Sequence, residues 1–284
     1  MLVRKSAVAN FFYPGNASEL ENSVKNFLAN GKDISVPGDI RGIIAPHAGY
    51  IYSGIVAGAC YKQFEKLENK KWKIIMLGPS HRYPLRGASV CAYDYLETTL
   101  GEIKVSDIAK EMAEKIGFIP QADEQEHSLE VQFPFLQMVF KNKDFEVIPI
   151  VLGHVDVRQL ADFLKGYIDE NTLFVISTDL SHFFPYDKAV SVDSICNKAI
   201  PALDVDTMAR EGDACGIVGV LTSMLLAKDL GWKSTFLDYK NSGDTAGPKD
   251  RVVGYGGLCL FCLVFLSSSL NFYKKYLIAF LKLK

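Results

Sequence analysis

Three stretches of the chain share one plan: a short apolar run, a turn, and then a histidine. Residues 41–54 read RGIIAPHAGYIYSG, with Ile43, Ile44 and Ala45 ahead of His47. Residues 73–84 read KIIMLGPSHRYP and lead to His81, and residues 173–183 read LFVISTDLSHF and lead to Asp179 and His182. Continuous apolar runs of this length are the mark of strands buried on both faces of a sheet. An open α/β sheet built from such strands gathers its loops at the carboxyl edge, where these enzymes carry their sites.

The intervening segments read as helices. Leu20, Val24, Phe27 and Leu28 fall on one helical face that ends at Asn30 and Gly31, and Ser18 with Glu21 has the spacing of a capping box. Further helices are expected over 53–67, 106–116, 157–167, 189–200, 208–212 and 217–230. Additional strands are expected near 89–92, 146–151, 235–239 and 251–261, with a Thr/Gly-rich loop after the first of these. Residues 125–140, QEHSLEVQFPFLQMVF, carry a helical pattern that Pro134 kinks or restarts. The segment around Ser181 reads as a helix start. No repeat of solenoid length and no low-complexity linker divides the chain.

The expected architecture is therefore a single α/β domain over residues 1–262, with a central, mostly parallel or mixed sheet flanked by helices on both faces. Residues 263–284 form an apolar and basic extension in which Tyr273, Tyr276, Leu277, Phe280 and Leu281 line one helical face. Lys274 and Lys275 each oppose membrane insertion by about 2.5 to 3.5 kcal/mol, so packing on the domain or a partner subunit is favoured over membrane contact.

Composition narrows the function. A net charge of −2 gives no basic field for nucleic acid. The six cysteines lack the spacing of a disulfide framework, which points to a reducing, cytoplasmic setting, and no apolar signal segment follows the first ten residues. The motifs GxGxxG, GxxxxGK and GxSxG are absent, which removes the usual support for nucleotide binding and serine hydrolysis.

Several histidines at one sheet edge suit a metal or an acid/base site, although a single strand-end histidine is more often a hydrogen-bonded structural residue than a ligand. His154 follows a strand less distinctly. Cys215 stands before the helix expected over 217–230, where a thiolate of lowered pKa would be a soft ligand or a nucleophile, while a small buried hydrophobe is the plainer reading. Asp179 either orients an imidazole or caps the following helix. His127, between Glu126 and Glu130, either enters the site or caps its own helix. Asp244 in NSGD either reaches the pocket or makes a turn. Tyr50, Tyr52, Phe183 and Phe184 supply candidate aromatic lining.

The segments APHAGYIYSG at 45–54, LGPSH at 77–81, EHSLEVQFPFLQ at 126–137, STDLSHF at 177–183, CG at 215–216 and DYKNSGD through VVGY at 238–255 together resemble the Memo family. That resemblance implies the fold of class III extradiol dioxygenases, non-haem iron enzymes. It implies metal ligands at His47, His81 and Cys215, with His182 in the acid/base position and Asp179 beside it. A cysteine in place of the dioxygenase carboxylate is a softer donor, so iron(II) or copper in a redox role fits better than ring cleavage. Prokaryotic members are associated with a radical SAM protein in the AmmeMemoRadiSam grouping, and animal members with phosphotyrosine-peptide binding. Three functions follow as expectations: a metal-dependent oxidoreductase, a non-catalytic binding module for a peptide or small ligand, and a hydrolase using Cys215 and His182.

Overall fold

In a computed structural model that describes residues 2–263, the chain forms an α/β domain. In chain order the elements are β1 (Val3–Arg4), α1 (Ala17–Asn30), β2 (Asp39–Ala45), α2 (Tyr50–Glu65), β3 (Trp72–Pro79), β4 (Ala88–Val90), β5 (Tyr95–Thr98), β6 (Gly101–Lys104), α3 (Asp107–Ile116) and α4 (Pro120–Asp123). There follow a 3-10 turn at Glu130–Gln132, α5 (Phe133–Val139), β7 (Phe145–Leu152), α6 (Val157–Lys165), β8 (Thr172–Ser177), β9 (His182–Phe184), α7 (Tyr186–Ala202), α8 (Val205–Glu211), α9 (Ile217–Leu230), β10 (Lys233–Asn241) and β11 (Val252–Cys262).

Among the described residues the main sheet runs β10-β11-β2-β8-β3-β7-β4, with β9 joined to β11. Its centre, β2-β8-β3-β7, is parallel, and the pairs at both margins are antiparallel. The parallel strands read as apolar because both faces are covered: every residue of β8 is buried. Consecutive glycines of β11 show the two layers. A methyl group on Gly256 would meet Asn197 of α7, and one on Gly257 would meet Cys60 and Val56 of α2. Helix α9 shares the α7 side, where Gly219 lies against Leu77 and Ile176. A second sheet, β1-β5-β6, stands apart.

Three expectations change. The segment around Ser181 is no helix start: β9 occupies Phe184 and its neighbours, because Val252 and Val253 of β11 offer a partner edge, and α7 begins at Tyr186. The Thr/Gly-rich loop is the β5–β6 hairpin, closed at Gly101 with φ +113°. Helix α1 is capped by Asn16, whose side chain accepts the amides of Ser18 and Glu19, so Ser18 lies inside the helix. No helix among the described residues is long and apolar enough to cross a membrane. The helical reading of the C-terminal extension falls outside the described residues.

Candidate metal centre

The topology brings the chemistry to one edge. Strands β2, β8 and β3 are parallel neighbours, and His47, Asp179 and His81 each stand two residues beyond the end of their strand. His127 arrives from the loop before the 3-10 turn. The rings of His47 and His81 are 5.2 Å apart, those of His47 and His127 5.5 Å, and those of His81 and His127 stack at 4.7 Å with a 30° tilt. One ring nitrogen from each of the three lies within 4.8 Å of the others, a grouping that could hold a metal ion.

The mutually close donors are the three imidazoles, with His127 rather than Cys215 as the third, while Cys215 lies against one member of this group, its sulfur 3.3 Å from His47 Nε2. Two ligands with bonds of about 2.1 and 2.3 Å around one tetrahedral ion stand about 3.5 Å apart, close to this separation. The sulfur also accepts the Asp179 amide at 3.2 Å. Gly216 makes the approach feasible, since a methyl group there would sit 2.5 Å from the Ser177 carbonyl oxygen and 2.8 Å from the Thr178 side chain.

Hydrogen bonds decide which nitrogens face the site. The Ser177 hydroxyl has one proton and gives it to the Ser128 carbonyl, so it accepts from His47 Nδ1 at 2.9 Å and from the Gln132 amide at 2.8 Å. His47 is thereby left with its Nε2 lone pair toward Cys215. His81 Nδ1 lies 3.0 Å from Glu126 Oε1. His127 Nδ1 is 3.2 Å from the same oxygen, off the axis of a hydrogen bond, and is a buried polar atom without a partner. His47 and His81, whose far nitrogens are held by polar groups, have the usual form of metal-ligating histidines, so this donor set fits a metal.

Electrostatics favour neutral ligands in the metal-free protein. Burial holds His47 well below its ordinary pKa, and the neighbouring imidazoles of His127 and His81 add to the effect. Burial pushes the Cys215 thiol up to about 12, with the Asp179 charge adding. That reverses the lowered pKa expected from a helix N-terminus, because desolvation outweighs the helix end. Asp179 is raised by burial, and its carboxylate accepts the His47 amide at 2.8 Å. Glu126 is penalised by burial, yet the rings of His127 and His81 and the surrounding amides hold it well below the usual carboxylate range.

Beside the histidines opens a pocket of about 490 Å³ lined by His127, Asp179, His182, Tyr52, Phe12 and Arg251, among others. Of the aromatic residues expected there, Tyr52 and Phe183 line it. Tyr50 is buried with its hydroxyl on the Val131 carbonyl, and Phe184 pairs with β11. Asp244 makes its turn, accepting the Asn241 amide and the Tyr186 hydroxyl. His154 forms a bridge with Arg86 at the end of β7. Sequence reasoning gave Phe11, Phe12 and Arg251 no place at the site, and it left His127 undecided. A Glu–His pair ahead of an apolar helix was the one available signal for His127.

A family model described as Memo-like protein matches residues 4–259. A MEMO1 family protein of Aquifex aeolicus is 36% identical over 276 residues, covering 91% of this chain and 99% of the relative. Proteins of the same description from Nitrosopumilus maritimus and Methanosarcina mazei are 34% and 35% identical, covering 90% and 91% of this chain and 99% of each relative.

Proposed function

The chain belongs to the Memo-like protein family, and we propose that it is a metal-dependent oxidoreductase whose single ion, iron(II) or alternatively copper, is held by His47, His81 and Cys215. The observation that carries this reading is the convergence of three imidazoles at one sheet edge with a cysteine sulfur 3.3 Å from one of them. His127, stacked on His81, stands as a fourth donor or as a ligand-facing ring. Mixed imidazole and thiolate donors suit iron and copper better than magnesium or calcium.

When bound, the ion would be held by His47, His81 and Cys215 and would supply one-electron chemistry and Lewis acidity beside the pocket that His127 and Asp179 line. The chain's own residues do the rest. Ser177 keeps the Nε2 lone pair of His47 turned to the site. The Asp179 amide stabilises negative charge on the Cys215 sulfur by donating to it. His182, on the pocket wall, holds or accepts a proton from a substrate lying there. Phe12, Tyr52 and Phe183 keep water away from a small organic or peptide ligand.

A second reading, a binding module without turnover, draws on Phe183. Its ring is 60% exposed, its backbone is at φ +63°, and it lies 5.0 Å from the Arg251 guanidinium. A bulky residue in that backbone region at a pocket mouth stores strain of about 1 to 3 kcal/mol, as ligand clamps do.

Protein purified anaerobically is expected to contain about one equivalent of iron or copper, and His81→Ala to lose it with the domain still folded. Metal content unaffected by His81→Ala contradicts the assignment. Ligand binding that survives metal removal without oxygen consumption selects the binding module.

A further inference from the structure

We infer that Glu126 is the positioning residue of this site, fixing the tautomer of His81 and the spacing of His81 from His127. The inference rests on the metal reading above but concerns the protein's own hydrogen bonds. Glu126 is 2% exposed and hydrogen-bonds to both the His81 loop and the His127 loop. Its Oε1 accepts His81 Nδ1 at 3.0 Å and the amides of His127 and Ser128, each at 2.9 Å. Its Oε2 accepts the His81 amide and the Arg82 amide, the latter at 3.3 Å. From behind, Arg4 Nη2 donates to the Glu126 carbonyl at 2.7 Å.

The chemistry follows from the donors. An ionised carboxylate only accepts, so His81 Nδ1 must carry the proton and Nε2 is left with its lone pair. Without that partner, no other hydrogen bond among the described residues fixes which nitrogen of His81 is protonated, and the ring is free to turn. By holding the amides of His81 and Arg82 on one side and of His127 and Ser128 on the other, the same carboxylate sets how closely the two loops approach. The 4.7 Å stacking of the two rings is the result. A glutamine cannot replace it, because every acceptor position it turns into an NH2 group already faces an N–H. Outer partners of this kind are typically worth 10- to 100-fold in metal affinity.

The test uses nitrogen-15 histidine NMR on the metal-free full chain at about pH 8, followed by cobalt(II) titration. The wild type is expected to show His81 protonated at Nδ1, and His47 likewise through Ser177. Glu126→Gln is expected to shift His81 to a mixture or to the other tautomer, leave His47 unchanged, and weaken cobalt(II) binding 10- to 100-fold. His81 protonated at Nε2 in the wild type overturns the inference even if the variant fails to fold. So does a folded Glu126→Gln whose His81 tautomer and cobalt(II) affinity match the wild type. A wild type that binds no cobalt(II) yet shows the expected tautomers sinks the metal reading and leaves the role of Glu126 standing.

Discussion

A single hydroxyl proton on Ser177 determines how His47 is used, because its donation to the Ser128 carbonyl obliges His47 to donate in turn. Cys215 faces the nitrogen so exposed. In the metal-free protein the thiol is pushed up to about 12, so alkylation of Cys215 should rise roughly tenfold per pH unit from pH 7 to 9 with no plateau, as the thiolate fraction grows. Mass-spectrometric labelling rates measure this directly. A plateau below pH 9 would show that the thiolate forms without metal and would revive the hydrolase reading, in which Cys215 is a nucleophile and His182 its base. Bound metal should abolish labelling, since the sulfur is then a ligand.

Between elements, the N-terminal segment is tied to the site by a buried ion pair. Arg4 in β1 is 3% exposed and contacts Glu130 at 2.7 Å and Asp123 at 3.0 Å. Glu130 also accepts the amides of Ala7 and Val8 and the Tyr13 hydroxyl. These bonds lay residues 7–13, with Phe11 and Phe12, over the pocket. Arg4→Met leaves Glu130 buried and short of its countercharge, so it should destabilise the fold by about 3 to 5 kcal/mol. Denaturant unfolding would read that loss, and a change within about half a kcal/mol would mean that the pair is dispensable. The same network explains the limits of the sequence reading. Strands β2, β3 and β8 were legible because burial on both faces imprints continuous apolar runs, and the residues just past them followed. Helix α9 was found at Ile217–Leu230 for the same reason. The place of Phe12 depended on partners more than a hundred residues away, Arg4 with Glu130 among them, which no local pattern records. Strand β9 was misread because its stability comes from pairing with β11, and three residues carry no period of their own. His127 was undecided because its position depends on Glu126 bonding across to the His81 loop.

For the whole molecule, the arrangement of parallel strands at the centre and antiparallel ones at the margins does the positioning. Three adjacent strands end together between two helical layers, the loops beyond them deliver two imidazoles and a carboxylate, and the turn before α9 brings the Cys215 thiol against His47. A site placed on such a scaffold keeps its three imidazole nitrogens within 4.8 Å of one another before any ion arrives, so metal loading should need little rearrangement of the domain. X-ray absorption spectroscopy of the iron(II)- or copper-loaded full chain tests that most directly. The account predicts nitrogen scatterers at about 2.0 to 2.1 Å with one sulfur at about 2.3 Å, the sulfur vanishing in Cys215→Ser. A shell of oxygen alone, or a sulfur signal that persists in Cys215→Ser, would contradict it.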